Sequence, residues 1–172
     1  MAHHGEELTN ALYDVIDWSW LNDGGSHGAA PASVSVEAIV EGHPLEYVDT
    51  SSKLPAVVMM KPNWPLVTHY PKFVMETYEV QLYVIDEPPT TGFPEEAIRE
   101  LAYNIRTNIL AAADPTVEAY DLDYPFNLSY VEDVRWLGDF VRDEVQEWIE
   151  AMGLGLLSVR MDFQIQCHGT DR

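Results

Sequence analysis

The residue types that most often carry chemistry are present, but their spacing forms no complete reactive motif. The six histidines are His3, His4, His27, His43, His69 and His168. None stands at the His-Glu-x-x-His spacing that presents two zinc ligands on one helix face. The adjacent pair at the N-terminus is interpreted as a flexible tract with incidental metal affinity. The histidines therefore predict no metal site.

Other catalytic and ligand-binding motifs are incomplete. Asp121 and Asp123 resemble the start of a calcium loop, but the glycine and the distal bidentate glutamate are missing. Gly24, Gly25 and Gly28 follow a predicted helix and not a strand, which favours a flexible loop over a phosphate-binding turn. Serine, histidine and aspartate are all present, but a catalytic triad requires them to be close together in space, and the sequence alone does not show this. We expect no catalytic residue, no cofactor and no enzyme activity.

Two features of one short window point to binding instead. All the lysines of the chain, Lys53, Lys61 and Lys72, lie within twenty residues. They are interpreted either as solubilising loop residues or as a basic patch that docks on the acidic surface of a neighbouring subunit.

The same window is rich in aromatic residues and proline. It carries Trp64, Tyr70 and Phe73, and three prolines between residues 61 and 73 predict an extended loop. Aromatic side chains on a stiff loop suit a partner anchor, because little conformational entropy is lost on binding. They suit equally well a cover over the end of the core, and the pattern alone leaves both interpretations open.

Charge is the strongest compositional signal. Nine basic and 29 acidic side chains give a net charge of −20 and a pI near 4.3. No basic excess exists to release counterions, so binding across a nucleic-acid backbone is not expected. An acidic, lysine-poor surface favours a halophilic origin, and an acidic protein from an ordinary host is the alternative.

The single cysteine, Cys167, excludes an internal disulfide and is interpreted as a small apolar residue at a strand end. No stretch predicts a membrane span or a signal peptide.

The hydrophobic pattern predicts one α+β domain over residues 1–172. Residues 1–5 are expected to be a flexible N-terminus and residues 168–172 a short C-terminal tail. The predicted helices cover 6–18, 94–113 and 130–152; the predicted strands cover 33–40, 54–60, 74–86 and 156–167, with a short one near Val117–Tyr120. Because the strands do not follow a β-α-β rhythm, we expect a mostly antiparallel sheet of four to five strands. Two long helices should pack on one face, together with the N-terminal helix.

The order of these elements resembles the tail terminator and tail-completion proteins of long-tailed phages and archaeal tailed viruses. The resemblance rests on the strand LPAVVMM, the alternating strand YEVQLYVID, the helix PEEAIRELAYNIRTNIL after a proline-rich turn, and the last strand LLSVRMDFQIQ. It covers about residues 54–112 and 153–167. The segments 33–40 and 114–152 are larger than expected for a minimal member of this family. This difference leaves open a role as another neck protein or head–tail adaptor.

The resemblance implies a structural protein of the virion tail or neck, assembled in the host cytoplasm. It implies a ring, usually of six subunits, that terminates the tail tube and offers a docking surface to the head connector. The expected partners are copies of the chain itself, the tail tube protein and the head-completion protein. DNA would pass through an acidic lumen without specific binding. A cellular small-molecule or protein-binding domain, or an enzyme, is the alternative of another class.

Overall fold

The computed structural model describes residues 5–16, 32–50, 53–61, 65–112 and 131–168. In chain order, the elements are α1 (Gly5–Ile16), β1 (Ala38–Glu41), α2 (Pro44–Thr50), β2 (Ala56–Met60), β3 (Leu66–His69), β4 (Val74–Asp86), α3 (Pro94–Ala112), β5 (Val131–Phe140), α4 (Glu144–Ala151) and β6 (Leu157–His168). The predicted strand near Val117–Tyr120 lies outside these residues.

The strands form one mixed sheet of six members. Its order is β1-β2-β4-β6-β5, and β3 pairs with β4 on the same side as β2. β1 and β2 are parallel, and the other described pairings are antiparallel. The pairing of β4 with β6 runs from Met75–His168 to Asp86–Leu157, so these two long strands form the centre of the sheet.

Helices cover both faces of the sheet. On one face, α1 and α3 pack on side chains that include Tyr78, Leu82 and Phe163. On the other, α2 and α4 pack on a smaller cluster that includes Tyr83 and Ile85. Successive strand residues point to opposite faces, which is why neighbours in β4 join different clusters. The expected N-terminal helix and the helix at 94–113 do share one face, whereas the helical part of the predicted helix 130–152 packs on the other.

Several predictions from periodicity are confirmed. The fold is α+β, with a sheet that is mostly antiparallel. The predicted strand 156–167 forms β6, in which Val159, Met161, Phe163 and Ile165 alternate with polar residues and are buried on the α3 side. The predicted strand 54–60 contains β2, whose residues 56–59 are buried on both faces of the sheet.

The predicted helix over 130–152 is wrong. Residues 131–140 form strand β5 along the edge of β6, and only the eight residues of α4 are helical. The open edge of β6 offers backbone hydrogen bonds to this segment, and Gly138 weakens a helix while it fits the irregular pairing near Trp136. Asp143 then starts α4 as its N-cap, because its side chain accepts a 3.1 Å hydrogen bond from the Gln146 N–H.

Three smaller differences involve the loops. Within the predicted strand 33–40, only residues 38–40 are in β1, although Val34 and Val36 still pack on the α1–α3 core. The predicted loop 61–73 contains β3, and the prolines on either side confine that strand to a sheet edge. Helix α2 was not predicted at all.

A buried glutamine joins α4 to the sheet. Oε1 of Gln146 accepts hydrogen bonds from the Ser158 backbone N–H at 2.6 Å and from its hydroxyl at 3.0 Å, and Nε2 donates to the Leu156 carbonyl at 3.2 Å. Replacing Gln146 with leucine leaves these buried groups without a partner. We expect a loss of about 2–4 kcal/mol in the free energy of unfolding, measured by urea titration.

The matched control is Gln164→Leu, on the half-buried polar side of β6. This substitution should change the free energy of unfolding by less than about 1 kcal/mol. Equal losses for the two variants would contradict the assigned role of Gln146.

Candidate subunit interface

The predicted anchor loop is the turn of a β-hairpin. β3 and the start of β4 pair from Leu66–Thr77 to His69–Val74, and the Tyr70 N–H donates to the Phe73 carbonyl at 2.9 Å. We call residues 70–73 the hairpin tip. Its two aromatic rings stack with centroids 4.6 Å apart, so the turn presents a preformed apolar surface.

β3 is an exposed edge of the sheet. All four of its residues are exposed, and the Leu66 side chain is 70% accessible. Among the described residues, β4 is the only strand that pairs with β3. Tyr70 and Phe73 are also exposed, at 46% and 38%. An unpaired edge with exposed apolar side chains is a site where another chain can pair.

The three lysines do not form one basic patch. The Lys61 side chain is only 6% exposed, and its Nζ lies 3.7 Å from Oε1 of Glu41. Lys53 precedes β2 and Lys61 follows it, so the length of the strand, about 15 Å, separates the two lysines. Lys72 lies in the hairpin tip, is exposed, and makes no ion pair with another described residue. Trp64 lies outside the described residues.

A second surface lies between α3 and the end of β5. This groove, of about 720 Å³, is lined by Glu96, Arg99, Glu100, Tyr103, Arg106, Asp139, Val141 and Val159. We call it the α3–β5 groove. Its α3 side chains recur three or four residues apart, which aligns them along one side of the helix.

Arg106 organises one wall of the groove. Its guanidinium lies 3.9 Å from the ring centroid of Trp136 and 4.9 Å from that of Tyr103. The same group donates to Oδ2 of Asp139 at 3.0 Å, and the Trp136 indole N–H donates to Oδ1 at 2.8 Å. These contacts hold two partly exposed aromatic rings in fixed positions. Arginine, tryptophan and tyrosine in such a setting are typical of energetic centres of protein interfaces.

The groove has an excess of negative charge. Its two arginines are already paired, Arg106 with Asp139 and Arg99 with Glu95 at 3.2 Å. Glu96 and Glu100, one turn apart on α3, are exposed and form no ion pair with a described residue. The groove therefore offers aromatic surface and two unbalanced carboxylates.

Sequence reasoning missed this second surface. Tyr103 and Arg106 belong to the polar side of a helix that was predicted correctly. In the sequence pattern, nothing separates them from ordinary exposed residues of that side. Trp136 and Asp139 belong to the segment that was assigned to a helix. The one feature of the sequence that pointed to this surface is the pair of glutamates at positions 96 and 100 of α3. Their spacing indicates that they share one exposed side of the helix, but it does not indicate what binds there.

A partly buried ionic cluster lies on the sheet face that carries α4. Nε of Arg160 lies 3.0 Å from Oδ1 of Asp162, and its Nη1 lies 3.7 Å from Oδ2 of Asp143. These closest atoms lack hydrogen-bond alignment, so the contacts are mainly ionic, with one aligned bond of 3.3 Å from Nη2 to Asp162. The guanidinium also stacks 4.3 Å from the Phe140 ring centroid. Burial, and then the charge of Asp143, raise the pKa of Tyr83 to about 12.

The described residues contain no group of histidine, cysteine or acidic side chains that could hold a metal ion. The candidate calcium residues Asp121 and Asp123 lie outside that part of the chain. No helix among the described segments is long and apolar enough to cross a membrane.

The single cysteine is fully buried in the α1–α3 core. Burial, with the nearby charges of Glu76 and Glu132, raises the pKa of Cys167 from 9.0 to about 12. The native thiol should therefore react with a disulfide reagent at pH 8 at least about 100-fold more slowly than the urea-unfolded chain. A fast reaction in native buffer would contradict this placement.

The same shift predicts alkaline sensitivity. Between pH 9 and 12 the unfolded thiol loses its proton and the native thiol keeps it, so the free energy of unfolding falls as pH rises. Tyr83 adds a loss of the same sign between pH 10 and 12. Cys167→Ala should retain only the tyrosine part of the slope in urea titrations at pH 8.5, 10 and 11.

The sequence matches no protein-family model and no curated protein. The fold and its surfaces define the class: an acidic α+β protein whose six-stranded sheet has exposed, unpaired edges among the described residues.

Proposed function

We propose that this protein is a structural component of a virus tail or neck that assembles into a ring. The ring terminates the tail tube and provides the surface on which the head connector docks. The protein acts by binding and not by catalysis. The observation that supports this proposal most directly is that two edge strands, β3 on one side of β4 and β5 on the far side of β6, have no further strand partner among the described residues.

Two different edges suit head-to-tail assembly. A contact between unlike surfaces of identical subunits produces a closed ring when the rotation between neighbours closes, and a filament when it does not. Both edges also carry exposed apolar residues: Leu66 and Val67 on β3, and Trp136 and Leu137 on β5. Self-association would bury this surface, which otherwise favours disordered aggregation.

Charge supports the same role. With a net charge of −20, a ring of six subunits would carry about six times that charge, and acidic side chains would line much of its inner surface. Such a lumen repels the DNA backbone and allows the genome to pass. The family resemblance favours a tail terminator, whereas the open edges suit any ring of the neck, including a head–tail adaptor.

The test is the molar mass of the purified chain by light scattering, at low and at multimolar salt, with electron microscopy of the same fractions. We expect rings with an open centre and a mass near six subunits. A monomer at every salt and protein concentration would contradict the proposal.

A further inference from the structure

The hairpin tip and the α3–β5 groove have opposite unbalanced charges. Lys72 is an exposed cation without an ion-pair partner among the described residues. Glu96 and Glu100 are exposed carboxylates that likewise form no ion pair with a described residue. In a chain with only nine basic residues, most of the described cations are already held by a carboxylate. Lys72 is thus suited to an acidic site on another molecule.

The two surfaces also match in their apolar parts. Tyr70 and Phe73 stack on each other beside Lys72 and leave an exposed ring surface. Tyr103 of the groove is 56% exposed and the neighbouring Trp136 is 40% exposed, and the Arg106 guanidinium contacts both rings. Aromatic pairs of this kind contribute beyond the area they bury, and both sides are ordered before contact.

One chain cannot bring its own tip into its own groove. The tip lies at the C-terminal end of β6, where Phe73 contacts His168 edge-on at 5.6 Å between ring centroids. The groove reaches Val159, near the start of that strand. Nine residues of extended strand separate these points by about 30 Å. The tip also lies on the β4 side of β6, and β5 lies on the opposite side.

We propose that the hairpin tip of one copy docks in the α3–β5 groove of the next copy. Lys72 then lies between Glu96 and Glu100, and the Tyr70–Phe73 stack packs on Tyr103 and Trp136. This inference rests on the proposed ring and identifies the surfaces that join its subunits. Because tip and groove are different surfaces, an open row of copies keeps one free tip at one end and one free groove at the other until the ring closes.

Charge reversal tests the contact. The variants are Lys72→Glu, the groove variant Glu96→Lys/Glu100→Lys, and the triple variant that combines them. We expect each partial reversal to raise the protein concentration for half-assembly by about 100-fold in low salt, because like charges then meet in the contact. The triple variant should assemble within about tenfold of the wild type, since the attraction is restored with reversed signs.

Two controls separate the contact from folding and from net charge. Lys53→Glu makes the same charge change at an exposed lysine outside the hairpin, and it should assemble like the wild type. Glu96→Gln/Glu100→Gln removes the groove charge without adding lysine to the first turn of α3, and should give a smaller loss. Circular dichroism melts identify any variant that fails to fold.

The outcomes distinguish the two proposals. Assembly of Lys72→Glu at the wild-type concentration, in rings visible by electron microscopy, would overturn the docking inference and leave the ring intact. Loss in both partial reversals without recovery in the triple variant would also overturn it. A wild-type monomer under all conditions would overturn the ring itself.

Discussion

Replacing Arg160 with methionine should lower the free energy of unfolding by about 3 kcal/mol at pH 7. The substitution keeps much of the aliphatic volume but leaves the carboxylates of Asp143 and Asp162 without their cation. The Asp143 side chain is only 7% exposed, so water replaces the lost contact poorly. Removing one member of a buried ion pair typically costs about 3–5 kcal/mol, and the partial exposure of Arg160 places the effect at the lower end.

The pH dependence of this loss identifies its cause. Burial raises the pKa of Asp162 above its ordinary value of 3.8, and Arg160 acts in the opposite direction. A native pKa above the unfolded one means that stability falls as pH rises through that interval. Without Arg160 the native pKa of Asp162 rises further, so the pH interval between the unfolded and the native pKa widens. The deficit of the variant should therefore shrink as the pH is lowered toward about 4.

Arg135→Met is the matched control. It removes the same charge from a pair with Asp133, in which the arginine side chain is 62% exposed. Exposed pairs contribute little, so we expect a change below about 1 kcal/mol. Urea titrations of both variants at pH 7 and pH 4.5 provide the measurement. A pH-independent deficit for Arg160→Met would assign its effect to lost packing on Phe140 instead.

Raising the salt concentration from 0.1 M to 3 M should stabilise the protein strongly. Its net charge is −20, and the ion pairs of the described residues engage only part of its acidic side chains. At 0.1 M the screening length is about 10 Å, so neighbouring carboxylates repel one another; at 1 M it is about 3 Å. Relief of this repulsion by about 3 kcal/mol corresponds to a rise of about 6–12 °C in Tm.

Thermal melts in potassium chloride measure this effect, and sucrose provides the control. Sucrose stabilises compact states by exclusion from the protein surface and does not screen charge. A halophilic origin predicts that the chloride series rises well above the sucrose series. Coinciding series, with full stability in low salt, would favour an acidic protein from an ordinary host.

Helix α1 and strands β4 and β6 show how far local pattern determines structure. Leu8, Leu12 and Ile16 recur at helical spacing and are buried in α1. Apolar and polar residues alternate along much of β4 and β6, and the apolar residues Tyr78, Phe163 and Ile165 lie in one core cluster. In these elements the pattern and the tertiary environment agree, because one side of each element packs on the main core.

The segment 131–152 shows the limit of such reasoning. Its apolar residues fit a helical period, but the partner that decides its conformation is the edge of β6, which follows it in the chain. Trp148 and Met152 would lie on the apolar side of such a helix, yet both are exposed. Only Val145 and Ile149 of α4 are buried, because this short helix packs on the smaller cluster on the opposite face from α3.

By itself, the sequence determined the acidic surface, the α+β class and the buried faces of the central strands, because composition and period are local properties. Tertiary structure decided everything that depends on distant residues. It buried Lys61 against Glu41 and left Lys72 exposed, so that the three lysines are not equivalent. It also brought Trp136 and Asp139 of β5 onto Arg106 of α3, beside the groove. No local pattern encodes those contacts, since the residues meet only when β5 pairs with β6 and α3 packs across the sheet.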